Sequence, residues 1–377
     1  MLIMKNDYKR LGNYIREVDV RNRDLKVTKL LGVSISKEFM PSIANTIGTD
    51  MSSYKVAEPR QFAYGPVTSR NGDKVSIALY KDDEKAIVSQ AYTIFEVKNK
   101  QELLPEYLMM WFRRSEFDRY ARFKSHGSAR EIFSWEEMCD VELPVPPIEQ
   151  QQKIVSEYEA ITHRIRLNEQ IITKLEETAQ TLYRKMFVDG IDKENLPEGW
   201  RMGMLGEIAK ITMGQSPDGE SYNTKGNGIV FYQGRGDFGK RFPTIRMYTT
   251  SPTKYANKKD ILLSVRAPVG DLNVTLHDCC IGRGLAALRS IYNYQSYLFY
   301  QMLNLSDTFN KSNDDGTIFG SINKDDLFGL KVIIPSTRSI MIFERKAFSM
   351  DRMIELKNKE IRELIELQSL LLAKMGQ

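Results

Sequence analysis

The chain has 377 residues, 42% hydrophobic and 10% aromatic, with 54 basic against 49 acidic side chains and a net charge of +5. That length predicts two or three domains with cores of their own, and the composition excludes a disordered or low-complexity polypeptide. Three cysteines provide no disulfide framework, no apolar run is long enough to cross a bilayer, and the opening MLIMKNDYKRLGNY has no apolar signal core, so a cytoplasmic chain is expected.

Residues 1–147 form the first predicted globular unit. Short β-like runs at 26–36, 61–64, 74–80 and 86–97 are broken by turn signals such as Asn71-Gly72-Asp73 and Lys81-Asp82-Asp83. Asn71-Gly72 just ahead of a β-like run reads as a tight hairpin. A single helix is expected over 105–123, followed by a turn at His126-Gly127-Ser128. The cluster Pro144-Val145-Pro146-Pro147 then stops the unit and launches a long helix, 148–188.

Within that helix Ile154, Tyr158, Ile161, Ile165, Asn168, Ile172, Leu175, Ala179, Leu182 and Met186 alternate steps of four and three, the seam of a coiled coil. The polar stretch 189–199 (DGIDKENLPEG) reads as a linker. A second globular unit, 200–336, repeats the plan, with strand-like runs at 208–213, 229–233, 260–265 and 281–289 and a helix at 294–310. It ends at Pro335 and leads into a second long helix, 337–377. There Phe343, Ala347, Met350, Ile354, Lys357, Ile361, Leu364, Gln368, Leu371 and Met375 repeat the seam, each 189 residues after its counterpart.

The same offset pairs Gly127 with Gly316 and Ser128 with Thr317. Further upstream, Ala86-Ile87-Val88-Ser89 aligns best with Ile261-Leu262-Leu263-Ser264, a shift of 175. Scaffold and helix are thus duplicated, while the front of each globular unit differs.

A helix over 150–187 would be roughly 55 Å long, and the linker after it spans at most about 40 Å. The second unit therefore starts near the far end of the first helix. If the second helix folds back along the first, both seams are buried and Asn168 and Lys357 share a polar layer that fixes register. The expected fold is α+β: two globular α/β domains in a pseudo-twofold tandem repeat, separated by a long antiparallel coiled coil of two helices. The alternatives are helices that pack separately on their own domains, or a seam for an outside partner.

No self-contained catalytic or metal site is visible. Gly234–Lys240 (GRGDFGK) has the glycine and lysine spacing of a phosphate loop, but Arg241 stands where Ser or Thr should ligate magnesium, and Pro243 and β-formers follow instead of a helix. Pro217-Asp218-Gly219-Glu220 lacks the Glu-x-Lys of a nuclease. His126, His163 and His277 are isolated, and Cys279-Cys280 reads as small apolar packing.

What remains is a set of basic and amide residues in or near polar, often glycine-containing loops: Arg60 with Gln61, Arg70, Asn71 and Lys74, Gln215 and Ser216, Gln233 and Arg235, Arg266, and Arg283. Arg and Lys reach guanine edges and phosphates, Asn and Gln read adenine by paired hydrogen bonds, and glycine lets backbone approach closely. These are the candidate DNA-binding residues. A structural scaffold whose terminal domains bind proteins is the alternative.

Several motifs resemble one family, the specificity (S) subunits of type I restriction-modification systems. They are Pro146-Pro147-Ile148-Glu149-Gln150-Gln151 at the first long helix, Gly214-Gln215-Ser216-Pro217, Phe231-Tyr232-Gln233-Gly234, the run Leu263-Ser264-Val265-Arg266-Ala267-Pro268-Val269-Gly270-Asp271, and Ile281-Gly282-Arg283-Gly284. The second helix departs from the pattern, opening Pro335-Ser336-Thr337-Arg338-Ser339 without the Glu-Gln pair. The resemblance implies two target recognition domains, each reading one half of a bipartite double-stranded DNA sequence, with the coil setting the gap. It implies two modification (M) subunits that carry S-adenosylmethionine and methylate adenine, and restriction (R) subunits that use ATP and Mg. On this reading the chain itself binds no cofactor or metal, performs no chemistry and contacts no membrane.

Overall fold

A computed structural model describes residues 8–42, 48–69, 71–72, 74–125, 131–266, 268–314 and 321–376. The chain divides into two compact units. One runs up to Asn168 and takes in the chain again from Lys359, and the other is Glu169–Asn358. Each contains one globular domain and part of each of two long helices.

The first domain comprises β1 (Tyr8–Arg10), β2 (Ile15–Val18), β3 (Leu31–Val33), β4 (Phe39–Pro41), β5 (Lys55–Ala57), β6 (Phe62–Tyr64), β7 (Ile77–Leu79), β8 (Ala86–Val88) and β9 (Thr93–Val97). The helices α1 (Pro105–Phe112), α2 (Ser115–Lys124) and α3 (Trp135–Cys139) follow, and then β10 (Glu142–Pro144). Its main sheet is antiparallel in the order β2-β9-β6-β7. Phe62, Tyr64, Ile77 and Phe95 on this sheet pack against Tyr107, Leu108 and Phe112 of α1. Phe62 and Phe95 stack at 4.8 Å, and each such buried aromatic or aliphatic side chain contributes about 1.5–3 kcal/mol. A smaller core lies between the β3–β4 and β5–β8 ribbons, where Leu31, Val33, Ala57, Ala86 and Val88 are buried.

The single helix expected over 105–123 is broken. Arg114 turns extended (ψ 139°) and caps α2. Its buried guanidinium lies 4.2 Å from the Trp111 ring centroid, a stacking contact that hydrophobic spacing does not reveal.

Two long helices carry the seam, α4 (Ile148–Phe187) and α7 (Thr337–Lys374). Neither contains Pro or Gly, so nothing interrupts them. In the first unit they run antiparallel: Thr162 meets Gln368 at 2.7 Å, and Arg164 meets Glu360 at 2.6 Å, so numbering rises on one helix as it falls on the other. Val155 of α4 and Met375, just past α7, are buried in the first domain's core, and Tyr8 donates to the Gly376 carbonyl at 3.1 Å.

The second domain comprises β11 (Arg201–Met204), β12 (Ala209–Met213), β13 (Tyr222–Asn223), β14 (Ile229–Tyr232), β15 (Met247–Thr249), β16 (Tyr255–Ala256), β17 (Ile261–Ser264), β18 (Leu272–Val274), β19 (Cys279–Ile281) and β20 (Leu285–Ser290). They are followed by α5 (Gln295–Asp314), α6 (Lys324–Phe328) and β21 (Lys331–Ile334). Its main sheet is antiparallel in the order β12-β20-β17-β18, and a five-stranded sheet runs β13-β15-β14-β19-β16. Tyr183 and Phe187 of α4 and Phe343 of α7 enter the core together, Tyr183 and Phe343 with centroids 5.6 Å apart. The Glu344 carboxylate accepts from the Ser296 and Tyr297 amides at 3.2 and 2.8 Å, capping the start of α5 from α7.

The two domains share one topology. β2, β9, β6 and β7 occupy the places of β12, β20, β17 and β18, and the β1–β10 ribbon that of β11–β21. The parallel bridge Leu30–Ile87 matches the parallel pairing of β14 with β19, and the antiparallel β5–β8 pair matches β16–β19.

This corrects the alignment at a shift of 175. Ile261–Ser264 is β17, the counterpart of Phe62–Tyr64, and Ala86–Val88 matches Cys279–Ile281. All four are short, wholly buried strands, and apolar composition does not distinguish one buried strand from another. The tight hairpin expected at Asn71-Gly72 is also wider. The strands it joins end at Tyr64 and resume at Ile77, and Gly72 takes φ +61° within the long connection.

Candidate nucleic-acid interface

The candidates of the second domain are gathered by backbone geometry at one end of its sheets. Gly282 and Gly284 form the centre. The Gly282 amide donates to Tyr232 O at 2.8 Å, the Val265 amide to Gly284 O at 3.0 Å, the Gln215 amide to Ile281 O at 3.0 Å and the Arg283 amide to Ser216 Oγ at 3.3 Å. The chain at Gly214–Ser216, Gln233–Gly234, Val265–Arg266 and Gly282–Gly284 therefore converges.

Glycine is required for this approach. A Cβ on Gly214 would strike the Gly282 carbonyl, and one on Gly282 would lie 2.8 Å from Gln233 O. Around this knot Gln215, Gln233, Arg266 and Arg283 are exposed and Ser216 is half-buried.

Arg235 is differently placed. Its guanidinium is bonded to Asp271, at the base of the β17–β18 connection, while Asp237 accepts from the Gln233 amide at 2.7 Å. Asn273 holds Gly239 by two bonds of 3.0 Å. The run that resembled a phosphate loop is thus a strut between connections, containing only the short turn Arg235–Asp237 before β15. Ser264 Oγ donates to Pro268 O and accepts from the Asp271 amide, both at 2.9 Å, and so shapes the loop that carries Arg266.

In the first domain the candidates separate. Asn71 and Lys74 lie on the β6–β7 connection, the counterpart of the β17–β18 loop that carries Arg266, and Lys74 is exposed. Arg70 falls outside the described residues, as do His126-Gly127-Ser128 and Asp315-Gly316-Thr317. The base of the connection is anchored by Asp118, which accepts from the Val75 amide at 3.1 Å and from Lys37 Nζ at 2.7 Å. Lys37 is buried in this pair, and desolvation pulls its pKa down.

Arg60 lies at the opposite end of β6. It takes φ +68° and pairs with Glu106 of α1 at 2.7 Å. Its neighbour Gln61 is buried, accepts from the Glu58 amide at 2.8 Å and donates to Glu96 at 3.0 Å.

The second domain repeats this turn with different side chains. Lys259 takes φ +73°, and Asp260 accepts from the Asn257 amide at 2.8 Å and from Arg289 at 2.6 Å. Burial pushes the Asp260 carboxyl up in pKa, against the pull of these two partners. Arg60 and Gln61 therefore belong to a repeated structural turn, on the side of the sheet facing the long helices. On that side Lys81 reaches Glu159 of α4 at 3.4 Å, and Lys259 lies 5.5 Å from the Phe348 ring of α7.

That side also holds a cavity of about 620 Å³ in the first unit, lined by Lys37, Tyr80, Arg113, Tyr158 and Glu159 among others. Four of its five lining cations are paired, Lys29 with Asp82, Lys37 with Asp118, Lys81 with Glu159 and Arg113 with Glu38, which leaves Arg166 alone to meet a phosphate backbone. At the opposite, open ends of the two domains Lys74, Arg266 and Arg283 are exposed and make no ion pair among the described residues. Among the described residues no cluster of His, Cys, Asp and Glu could hold a metal ion, and no helix is long and apolar enough to cross a membrane.

The family model described as the type I restriction modification DNA specificity domain matches residues 36–177 and again 197–367. The chain belongs to that family. Its work is DNA sequence recognition, and catalysis in type I systems lies on other subunits, so the protein-binding scaffold is not the favoured account. Among curated relatives, a Methanocaldococcus jannaschii protein provisionally named the type I restriction enzyme MjaX specificity subunit is 28% identical over 314 residues, covering 77% of this chain and 71% of the relative. The type I restriction enzyme HindI specificity subunit of Haemophilus influenzae is 20% identical, covering 88% of this chain and 89% of the relative. A solved S subunit of a type I restriction-modification system from M. genitalium shares the fold, with a TM-score of 0.61 at 14% identity, covering 98% of this chain and 96% of that one.

Proposed function

We propose that this specificity subunit reads a bipartite double-stranded DNA target, one half-site per globular domain, and that the α4–α7 pair sets the spacing between halves. The observation that carries this reading is internal. One topology occurs twice in the chain, and its open end bears different residues in each copy, including Gln215, Gln233, Arg266 and Arg283 in the second and Asn71 and Lys74 in the first. Identical readers would recognise identical half-sites, and these are not identical.

Arg266 and Arg283 offer the guanidinium forks that guanine and phosphate accept, and Gln215 and Gln233 the paired donor and acceptor that adenine presents. Ser216 belongs to the same surface as Gln215, and Arg70 stays a candidate on its sequence position beside Asn71. Arg235, tied to Asp271, positions the loop rather than reaching a base. Arg60 is assigned to its turn and not to DNA.

Asn168, buried with neither side-chain polar atom hydrogen-bonded, and Lys357 form the polar seam position of each long helix and fix the register. Two modification subunits dock on the helix pair and supply S-adenosylmethionine. Restriction subunits, with ATP and Mg, complete the assembly in the cytoplasm, and this chain holds no cofactor.

The test is DNA methylation by the chain alone and by its complex with modification subunits. Adenine methylation at one split sequence by the complex, and none by the single chain, is the expected result. Methyl transfer by the purified chain alone would overturn the reading.

A further inference from the structure

The first domain has a reading position that its sequence does not advertise. We propose that Gln90, in the turn Ser89-Gln90-Ala91, is the specificity-determining counterpart of Arg283 and contacts a base edge of the half-site read by the first domain. This inference rests on the assignment of one half-site to each domain.

The correspondence follows from the sheets. β8 and β19 hold the same place, each paired antiparallel with the strand before the main sheet and bridged in parallel to the first hairpin. Each is wholly buried, and each ends in the same turn. The Tyr92 amide donates to Ser89 O at 3.0 Å, and the Leu285 amide donates to Gly282 O at 3.0 Å. The next strands, β9 and β20, then pair with β6 and β17 in matching registers, Phe62 opposite Phe95 and Ile261 opposite Leu288. Gln90 therefore stands where Arg283 stands.

Both side chains are exposed, and neither makes a side-chain hydrogen bond among the described residues. Some polar side chains near these open ends are already committed: Arg21 bonds Ser53 O and Asp19, and Arg235 bonds Asp271. At the opposite end of β8 the 81–85 turn is tied to α4 by the Lys81–Glu159 pair, and Lys29 is held by Asp82.

The exchange of Arg for Gln has a chemical meaning. Arg presents five donors and suits guanine or phosphate. Gln presents one donor and one acceptor side by side, the complement of the adenine N6 and N7 edge. An uncharged residue at this position contributes little to non-specific affinity, so its work is discrimination.

The experiment uses the complex of the full chain with modification subunits and maps methylated adenines in genomic DNA. Q90A is expected to lower discrimination at one base-pair position of one half-site about 5- to 100-fold, the range for loss of a bidentate base contact. The other half-site and the spacer should stay unchanged. R283A is expected to act on the other half-site. Q90K supplies a phosphate contact without the paired amide, and should stay as relaxed as Q90A.

The proposal is overturned if Q90A leaves every position within about twofold of wild type, if it weakens methylation uniformly, or if Q90K restores discrimination. A wild-type complex that methylates no split sequence would overturn the underlying two-half reading instead, and so is distinguishable.

Discussion

Arg241 and Asp351 meet at 2.6 Å inside the second unit, with the Arg241 guanidinium 3.5 Å from the Phe299 ring centroid and the Tyr300 hydroxyl on the same Asp351 oxygen at 2.9 Å. Arg241 belongs to the connection between β14 and β15 that begins at Gln233, and Asp351 to α7. The pair fastens a loop that starts at the open end of the domain to the spacer helix.

Breaking this pair leaves a buried cation without a partner. D351A is expected to cost about 3 kcal/mol and to lower the urea midpoint of the second unit's transition. Replacing both partners with apolar residues (R241M with D351L) should cost much less. Equal losses in the single and double variants would show that the ion pair does not hold the loop.

Glu176 of α4 faces Arg241, Lys240 and Asp351 in the same region, and burial raises its pKa above the usual 4.5 despite Arg241. A folded-state pKa above the unfolded one means the folded protein binds the proton more tightly. Its contribution to stability is therefore greatest at acid pH and is lost as pH rises through the folded value. E176Q should be more stable than wild type at neutral pH, with the gap closing as pH falls towards 4.5. Thermal midpoints measured across pH 4–8 check this, and a gap that widens towards acid contradicts it.

The glycine knot of the second domain predicts a one-sided defect. G214A places a methyl group against the Gly282 carbonyl, so the Gln215, Gln233 and Arg283 positions must shift. Methylation-site mapping with the complex should show discrimination falling about tenfold or more, the range for one lost base contact, at one half-site only. Equal relaxation at both half-sites would contradict separate readers.

Arg266 is exposed, and no side-chain bond ties it to another described residue. If it neutralises a phosphate, R266A weakens binding by the assembled complex on all sequences and reduces the slope of log K against log salt by about 1. If it reads a base, the slope changes little and one position relaxes. Titrations at several salt concentrations separate the two, and an unchanged affinity on every DNA removes Arg266 from the interface.

The helices were legible because a seam of four and three over more than four heptads has no other cheap explanation, and neither helix contains a breaker. The strands of the two domains were recognisable as strands but not as counterparts. Ala86–Val88 and Ile261–Ser264 look alike only because both are buried. Pairing register, which depends on distant residues, assigns them to different places. The candidate site was half legible. Glycines at 214, 234, 282 and 284 marked the knot of the second domain, since close backbone approach leaves a compositional trace. The equivalent turn at Ser89-Gln90-Ala91 uses no glycine or charge and leaves none. What places Arg60 in a structural turn is equally invisible: a positive φ and a partner on α1 are tertiary facts that a basic residue beside a proline does not announce.

If the helix pair sets the distance between two readers, inserting one heptad into α4 and one into α7 at facing positions lengthens the pair by about 10 Å, close to 3 base pairs of DNA at 3.4 Å each. Methylated-adenine mapping with the complex should then return the same two half-sites with the spacer longer by about 3 base pairs. An unchanged spacer, with both half-sites still recognised, would contradict the account.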